Sequence, residues 1–457
     1  MRSTLLLLTL AATLAAYAYF IEADRPSRVE AENAKDRVFN MDSVDLVELE
    51  VATSGDRTVL RKTDGIWNII EPVRTKADGI EVSGITTGVS ALEVERVVQD
   101  IADDLDRFGL ADPTVEIAFK AEGENGVTRL LLGNQSSTGG HMYAMRSNDP
   151  RVFLVDAYLH SSFDRTTFDL RDKAIVEFDR DDVDRLSLTT PTHTVKLVHA
   201  DGVWHLEEPW KIRAASNTVN ALLTKLDTAR MQAVIETDGA NLESYGLAAP
   251  LISAVIGAGS AGATLLVGTN TDNGNSYARD EARSLIFTVE NSLVDDLTQS
   301  PEDYRQVELF TFNPTTTTRL EIEQPEARLV ITKSEVAPFV WQRLEPLPDE
   351  VDQETVSDLL TGLVSFRAER FTTSIDNTGL DAPIVTVTMF DGEREERVAF
   401  SRSADVIYAL ANQDAVASTV ETAVFEEVMT AVATPVSYTH LRAHETSLHL
   451  VCRLLLE

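Results

Sequence analysis

Short runs in which apolar and polar residues alternate recur along the chain. Val47 and Leu49 mark one such run, and Leu186 and Leu188 mark another. A period of two puts the apolar side chains on one face of a strand, so these runs predict half-buried β-strands. A third run of the same kind follows at residues 320–322. The spacing indicates one structural unit that is used three times.

A Trp followed five residues later by a Pro comes after each alternating run. These residues are Trp67, Trp204 and Trp341, spaced by 137 residues in both intervals. In the first two copies an Asp-Gly pair precedes the Trp, which predicts a tight hairpin turn because Gly takes positive φ without a Cβ clash. The Pro lacks an N–H and is expected to end the strand. Recurrence at strand positions predicts that all three Trp side chains are largely buried; the alternative is a ligand-stacking platform.

A helix is predicted after each Trp strand. Asp78, Ser216 and Asp352 lie eleven or twelve residues after their Trp and are predicted N-caps. Behind the latter two, apolar residues follow the i, i+3, i+4, i+7 spacing of one helical face. The pattern is weaker in the first copy because several glycines, including Gly84 and Gly88, interrupt it.

A second turn signal follows each helix and consists of a Gly with a Pro four residues on. The glycines are Gly109, Gly246 and Gly379, and the apolar residue after each predicts a turn with a buried plug. Short strand-like runs come next. Each copy then closes on a helix-like segment, at residues 157–163, 291–297 and 417–432.

Strands joined by short turns, with few helices, predict an α+β fold in which three tandem units each combine an antiparallel sheet with a helix. The expected boundaries are residues 37–173 for repeat unit 1, 174–310 for repeat unit 2 and 311–434 for repeat unit 3. Units of this size are large enough to have their own cores. We therefore expect beads or a stacked arc rather than a thin solenoid.

The N-terminal region predicts a membrane segment. Residues 3–21 carry no charge and are nearly long enough to cross a bilayer as a helix. Arg2 precedes the run and acidic residues follow it, which favours a cytoplasmic N-terminus. A cleaved signal peptide is the alternative, because residues 16–18 have a small-x-small form, but the apolar run continues past that site. We expect an uncleaved anchor at residues 1–21 and an exposed stalk at 22–36.

The charge of the chain narrows the range of partners. Its 40 basic and 74 acidic residues give a net charge of -34 at pH 7. A field of that sign repels phosphate backbones and anionic lipid headgroups, so we expect no nucleic-acid partner. A strongly solvated acidic surface is the favoured interpretation, and a surface for cations or a basic partner is the alternative. Cys452 is the only cysteine, so the chain cannot form an internal disulfide.

The last segment, residues 435–457, differs in character from the repeats. It contains three of the eight His residues and the only Cys, and it resembles the conceptual translation of a sequencing-adapter read-through. An artefactual tail is favoured because the third copy is already complete before it. The alternative is a metal site that uses His440, His444, His449 and Cys452, since the first two have the i, i+4 spacing that can chelate on a helix.

Candidate chemistry elsewhere is weak. The chain has no nucleophile elbow, no phosphate-binding Gly-rich loop with Lys and no zinc-protease helix motif. His141 is expected in a loop as a solvated side chain. His193, His199 and His205 lie within thirteen residues and could form a cross-strand metal site, but a polar outer face is the favoured interpretation.

Two acidic stretches have structural interpretations as well. Residues 272–276 are oxygen-rich but lack the ligand spacing of a calcium loop, so a tight turn is favoured. The acidic run at residues 179–184 is expected to be a solvated turn. We therefore assign no catalytic, cofactor-binding or metal-binding residue and expect no cofactor.

An ordered set of motifs carries a resemblance to a known family, and it is clearest in the second copy. The set consists of Trp204 with Pro209, the Tyr245-Gly246-Leu247 turn, the Leu266-Val267-Gly268 strand and the Tyr277-Ala278-Arg279 strand. It resembles the uncharacterised bacterial family catalogued as domain of unknown function 4340, over nearly all of residues 37–433. The third copy departs most, because it lacks the aromatic residue before Gly379 and has Phe400-Ser401 in place of Val267-Gly268.

The resemblance implies a membrane-anchored envelope protein, often encoded beside an ABC-type transporter related to gliding-motility export systems. It supplies no catalytic residues. We expect a non-enzymatic scaffold or accessory subunit of such a complex, held in the bacterial inner membrane with most of the chain in the periplasm. The expected partners are the membrane, through the N-terminal helix, and the permease or ATPase of the transporter. The alternative is an extracytoplasmic module that binds a small molecule, glycan or cation in clefts between units; a hydrolase with an unrecognised site is the least favoured reading.

Overall fold

The computed structural model describes residues 37–433 except positions 54, 138, 373, 393, 412 and 413. The expected anchor at residues 1–21, the stalk at 22–36 and the tail at 435–457 lie outside the described residues. The chain divides into two compact units, Met1–Lys173 and Ala174–Glu457. Within the described part of the chain, no helix is both long and apolar enough to span a membrane.

The first unit contains a nine-stranded antiparallel sheet with the order β4-β3-β2-β1-β6-β7-β8-β9-β5. Its strands are β1 (Leu46–Thr53), β2 (Asp56–Thr63), β3 (Ile66–Glu71), β4 (Thr75–Lys76), β5 (Arg96–Gln99), β6 (Val115–Ala121), β7 (Thr128–Gln135), β8 (His141–Arg146) and β9 (Val152–Asp156). Its helices are α1 (Gly79–Ser90), α2 (Tyr158–Phe163) and α3 (Thr167–Leu170).

The second unit contains two further nine-stranded antiparallel sheets with the same strand order. One is formed by β10 (Arg185–Thr189), β11 (Thr194–Ala200), β12 (Val203–Glu208), β13 (Ile212–Arg213), β14 (Ala233–Glu236), β15 (Ile252–Ala258), β16 (Ala261–Asn270), β17 (Asn275–Asp280) and β18 (Ile286–Glu290). The other is formed by β19 (Arg319–Gln324), β20 (Ala327–Lys333), β21 (Trp341–Glu345), β22 (Asp349–Glu350), β23 (Arg370–Phe371), β24 (Val385–Asp391), β25 (Arg394–Ser403), β26 (Val406–Ala411) and β27 (Ser418–Val420). The helices of the second unit are α4 (Ser216–Thr228), α5 (Asn291–Leu297), α6 (Gln353–Val364) and α7 (Thr422–Ala433).

The three antiparallel sheets confirm the coarse prediction of a repeated unit, with more strand and less helix than the label α+β suggests. In each sheet the first four strands run to one edge, and a helix then carries the chain to the strand at the opposite edge. In the first unit that helix buries Val82, Ile85 and Val89 in the same core as Leu49 and Ile117. The apolar face of one helix therefore covers strands from both halves of the repeat.

The hairpins before the Trp strands have the predicted conformation. Asp64 and Gly65 have φ of 51° and 82°, and Asp201 and Gly202 have φ of 52° and 78°. Two successive positive φ values are those of a type I′ turn, whose twist matches that of the flanking strands. The third copy has a longer loop between β20 and β21, and all three Trp strands end at the Glu before the Pro, through a cis peptide bond.

The Trp side chains are buried in two of the three copies. Trp204 is 3% exposed and Trp341 is 7% exposed. Trp67 is half-buried and packs against the core of the first sheet. The prediction of burial is confirmed for the last two copies and holds in part for the first.

The helix caps agree with the predictions at two of three positions. The Asp78 carboxylate accepts hydrogen bonds from the backbone N–H groups of Ile80 and Glu81, and Asp352 accepts one from Thr355. The prediction for Ser216 is wrong: it is the first residue inside α4, and Ala215 occupies the N-cap. Alanine has no side-chain acceptor, so the middle repeat lacks the cap that both of its neighbours have.

The closing segment of the third repeat also differs from the prediction of one helix over residues 417–432. Residues Ser418–Val420 form β27, and the helix begins only at Thr422. Pairing of β27 with β23 and β26 places this strand near the edge of the sheet. Residues 418–420 form a strand because their pairing completes the sheet. The short apolar run does not by itself distinguish a strand from a helix.

Candidate functional site

A cavity of about 1050 Å³ lies within the second unit, between the second and third sheets. We call it the cleft. It is lined by the β11–β12 turn, by residues 213–218 at the start of α4, by residues of the connection at 302–312, and by residues 394–396 at the start of β25. The cleft therefore exists only where two repeats meet.

Backbone hydrogen bonds hold these segments together. The Ala215 N–H donates to the Tyr304 carbonyl at 2.8 Å, and the Gln306 N–H donates to the Arg213 carbonyl at 3.1 Å. The connection between the sheets thus runs beside the strand that leads into α4. This pairing fixes the floor of the cleft by main-chain geometry.

Arg213 is a buried charged residue of the cleft, and it forms an ion pair that links the second repeat to the third. Its side chain is 7% exposed, its Nη1 donates to the Leu309 carbonyl at 3.2 Å, and its Nη2 lies 3.6 Å from Oδ2 of Asp414. The backbone N–H of Arg213 also donates to Oδ1 of Asp414 at 2.7 Å. Burial raises the pKa of Asp414, opposed by the positive charge of Arg213. The pair joins the second repeat to the third at a distance of 201 residues in sequence.

Two guanidinium groups in the cleft lining keep unused donors. Nε of Arg213 and Nε of Arg305 are buried and find no hydrogen-bond partner among the described residues, and Nη2 of Arg213 makes only its 3.6 Å ion pair with Asp414. Buried polar groups are normally paired, so such donors call for an explanation. Both arginines contribute to the lining of the cleft.

Arg305 is held by stacking. Its Cζ lies 3.5 Å from the ring centroid of Trp210 and 4.7 Å from that of Phe371. Its side chain is 8% exposed, and its Nη2 lies 3.6 Å from the Glu302 carboxylate. Burial lowers the pKa of Arg305, opposed by the charge of Glu302. Stacking on the two aromatic faces therefore orients the planar guanidinium.

The start of α4 supplies a third set of donors. Ser216, Asn217 and Thr218 line the cleft, and no described side chain caps the helix at Ala215. The first N–H groups of a helix have no partner within it, and the helix dipole gives this end a partial positive charge. The uncapped helix end therefore adds to the donor character of the cleft.

The carboxylates on the inner side of the cleft are already engaged. Glu396 accepts hydrogen bonds from the Thr311 backbone and hydroxyl groups and from Arg394. Glu308 accepts from Gln306 and pairs with Arg367. Their acceptor capacity is used within the protein, whereas part of the donor capacity of the arginines is not.

Other acidic groups of the cleft lie at its mouth. Asp201 and Glu395 are exposed, and the side chain of Glu302 is 58% exposed. The cleft thus combines buried donors inside with solvated carboxylates outside.

The histidines weighed from the sequence are not brought together. His193 lies 3.0 Å from the Gln299 carbonyl through Nε2, and His199 stacks on Trp204 with ring centroids 5.1 Å apart. His205 lines the cleft and pairs directly with Arg213 across β12 and β13. His141 begins β8 and is not in a loop; its Nε2 lies 4.0 Å from the Asp156 carboxylate.

The acidic stretches are turns. Residues 271–274 form the tight turn between β16 and β17, and residues 180–182 form a short 3-10 helix capped by Asp179. Among the residues that the structure describes, no group of three or more His, Cys, Asp or Glu side chains could hold a metal ion. The His and Cys residues of the tail lie outside the described residues.

Sequence reasoning missed Arg213, Arg305 and the uncapped end of α4. The sequence does contain a signal for the uncapped helix: eleven residues after the Trp, the first and third copies have an Asp, whereas the second copy has Ala215. The same comparison gives no signal for the arginines, because their importance comes from burial at a contact between repeats.

Comparisons with known proteins give one family. The family model described as Domain of unknown function (DUF4340) matches residues 67–203 and 204–383, which is more than half of the chain. No curated protein matches the chain.

Solved structures give only a distant likeness. A DNA polymerase sliding clamp from Pseudomonas aeruginosa is 8% identical, with coverage of 85% of this chain and 94% of that chain and a TM-score of 0.18. A putative DNA polymerase III beta subunit from Eubacterium rectale is also 8% identical, with coverage of 84% and 92% and a TM-score of 0.16. Likeness at these scores carries no argument about fold or function.

Proposed function

The chain belongs to the family described as Domain of unknown function (DUF4340), and on that premise we propose that it is a non-enzymatic binding protein. Its ligand is a small molecule, held in the cleft between the second and third repeats. This proposal corresponds to the alternative hypothesis from the sequence, in which a ligand binds in a cleft between units.

One observation supports the proposal: a cavity of about 1050 Å³ between two repeats is lined by two arginines, Arg213 and Arg305, and by the uncapped start of α4. Ligand pockets usually measure about 300–1,000 Å³ and use a few convergent polar groups to fix a ligand. The volume of the cleft is close to that range, and its polar groups come from two repeats.

A blocking variant tests the proposal. Asn217 is exposed and lines the cleft, so Asn217→Trp fills the cleft without disturbing a core. Ala221→Trp is the matched control, because Ala221 is exposed, lies one turn farther along α4 and does not line the cleft.

The assay is a ligand-observed NMR screen of sugars, organic acids, amino acids and divalent cations against the full chain. We expect at least one compound whose signal is lost with Asn217→Trp and kept with Ala221→Trp. A screen in which no compound distinguishes the two variants would refute a ligand function for the cleft.

A role as a membrane-anchored, extracytoplasmic scaffold of an ABC-type transporter or gliding-motility-like export complex is a second proposal. It is supported by the apolar N-terminal sequence and by the tandem repeats, since stacked repeats offer extended surfaces for partners. It is compatible with ligand binding. Chemical crosslinking and pull-down from native membranes should recover a permease or ATPase; recovery of the protein alone would count against this role.

A further inference from the structure

The outer edge of the third sheet differs from the same edge of the first two sheets. We propose that this edge, from β22 to Asp352, is a docking site for an extended, arginine-bearing segment of a partner protein, which joins the sheet as an added strand. The edge contains none of the residues that line the cleft. Docking there is therefore independent of ligand binding in the cleft.

The first repeat shows how such an edge is covered. After its closing helices the chain returns to the edge of its own sheet. The Asp78 N–H donates to the Leu170 carbonyl at 2.8 Å, and the Asp172 N–H donates to the Lys76 carbonyl at 2.9 Å. Arg171 lies between the two and is 7% exposed. A short extended segment with a buried arginine thus pairs with the edge by main-chain hydrogen bonds.

The second repeat has the same arrangement. The Ala215 N–H donates to the Tyr304 carbonyl at 2.8 Å, and the Gln306 N–H donates to the Arg213 carbonyl at 3.1 Å. Arg305 lies between Tyr304 and Gln306 and is 8% exposed. An apolar or aromatic residue followed by an arginine therefore fills this edge in two of the three repeats.

In the third repeat the matching groups have no such partner among the described residues. Asp352 corresponds to Asp78 and Ala215, because each lies eleven residues after its Trp. No described residue forms a bridge with Val351 or accepts a hydrogen bond from the Asp352 N–H. Since β22 is the last strand at this edge of the sheet, its outer side can pair with another strand.

The edge is held in place from its inner side. The side-chain amide of Gln353 donates to the carbonyls of Trp341 and Val351, at 3.0 Å and 2.9 Å, and accepts from the Trp341 N–H at 2.7 Å. Arg343 is 8% exposed, and its Nε donates to the Leu347 carbonyl at 2.9 Å. The edge is therefore preorganised, which lowers the entropic cost of docking.

An exposed apolar side chain lies at the same edge. The residue after the cis-Pro is Val73 in the first repeat, Trp210 in the second and Leu347 in the third. Val73 packs against the core of its sheet, and the ring of Trp210 is covered by Arg305, whose Cζ lies 3.5 Å from the ring centroid. Leu347 is 70% exposed. The aliphatic stem of a docked arginine would cover it.

The charges of the edge favour a basic segment. Asp349, Glu350 and Asp352 are all exposed. Glu350 corresponds to Lys76 of the first repeat, since each lies nine residues after its Trp. Nζ of Lys76 lies 3.5 Å from Oδ2 of Asp172 in the segment that covers that edge. With Glu in place of Lys, the docked segment needs a basic residue in place of the Asp, so its expected form is an apolar residue, an Arg and then a Lys or Arg.

A peptide taken from the chain itself is the probe. Residues 166–175 include the segment that covers the edge of the first sheet, and a second peptide carries Asp172→Lys. Each labelled peptide is titrated into the full chain, and binding is measured by fluorescence anisotropy. We expect the Asp172→Lys peptide to bind about threefold more tightly, because its lysine faces Glu350. Glu350→Lys in the full chain should reverse that preference.

Two substitutions of Asp352 isolate the main-chain hydrogen bond. Asp352 has φ of -68°, the value to which proline is restricted. Asp352→Pro removes both the N–H and the capping carboxylate, whereas Asp352→Ala removes the carboxylate alone. We expect Asp352→Pro to bind the Asp172→Lys peptide at least tenfold more weakly than Asp352→Ala does, because only the proline lacks the donor.

Every outcome decides for or against the docking site. Equal binding by the two Asp352 variants, an unchanged preference in Glu350→Lys, or no binding of either peptide overturns it. Leu441 and Arg442 repeat the Leu-Arg pair of the probe within the tail; binding that requires Arg442→Glu in the full chain would assign the edge to the tail and overturn the assignment to a partner. The ligand screen with Asn217→Trp tests the cleft separately, so failure of one proposal is distinguishable from failure of the other.

Discussion

Substitution of Gly268 by Ala should destabilise the second sheet locally. Gly268 lies in β16, and a Cβ built on it would be 2.0 Å from the Tyr245 carbonyl oxygen. The φ of Gly268 is not in the left-handed region, so Ala meets no backbone strain there. The effect of the substitution is therefore steric.

The magnitude follows from the distance. Real Cβ contacts essentially never fall below 3.0 Å, so in a close-packed interior the turn at Tyr245 must move by about 1 Å. Overpacking of this kind costs about 1–3 kcal/mol. In the third repeat the equivalent residue is Ser401, whose hydroxyl donates to the Thr378 carbonyl at 2.6 Å. The turn there makes room for a side chain where the second repeat has Gly268.

The assay is hydrogen exchange measured by mass spectrometry on peptides that cover β15 and β16. A loss of 1–3 kcal/mol predicts exchange that is about 5- to 150-fold faster in the second sheet. Peptides from the first sheet serve as the internal reference.

Gly84→Ala is the matched control. Gly84 lies within α1, its φ is not positive, and a Cβ there would meet nothing within 4 Å. The same substitution should therefore stabilise α1 by about 0.5–1 kcal/mol. Unchanged exchange of β16 in Gly268→Ala, with or without an effect at Gly84, would refute the steric reasoning.

Three further substitutions test the ion pairs and the caps. Asp149→Asn should cost about 1.5–3 kcal/mol at pH 7. The hydrogen bond from Arg151 lowers the pKa of Asp149 below its ordinary 3.8, so the carboxylate stabilises the fold above pH 3.8 and this stabilisation is lost as the pH falls through the folded-state pKa. The free energies of unfolding in urea of the variant and the wild type should therefore converge in acid. Asp414→Ala should cost about 3–5 kcal/mol in calorimetry, because it leaves Arg213 buried without its carboxylate. Asp78→Ala should cost about 1 kcal/mol, seen as faster hydrogen exchange in α1.

For each of these three substitutions, one result would contradict the prediction. A difference between Asp149→Asn and wild type that persists in acid would show that packing, not charge, is lost. A melting curve of Asp414→Ala identical to wild type would mean that the pair does not hold the repeats together. Exchange changes outside α1 in Asp78→Ala would assign that carboxylate a role beyond capping.

Local features of the fold follow from the sequence because their causes are local. The type I′ turn at Asp201 and Gly202 requires only two residues that accept positive φ, and the caps at Asp78 and Asp352 require only one carboxylate before a helix. These signals act over a few residues, and the structure confirms them.

Features that depend on distant contacts do not follow from the sequence. The edge strand β5 has exposed side chains and no alternation that marks it; it is a strand because it pairs with β9, more than fifty residues later. The contact between the second and third repeats uses Arg213 and Asp414, which are 201 residues apart. Neither residue differs in its local sequence from an ordinary surface charge, so no periodicity identifies the pair.

The strand order has a consequence for any dissection of the gene. The family match changes from one copy to the next between residues 203 and 204, inside β12 of the second sheet. A fragment of residues 67–203 would lack β1 and β2, and the loss of β1 would leave β6 with an open edge in the middle of its sheet. Open edges recruit other chains and cause aggregation. Cuts near Lys173 instead keep every strand of the first sheet together, so soluble fragments should follow the folded units and not the sequence period.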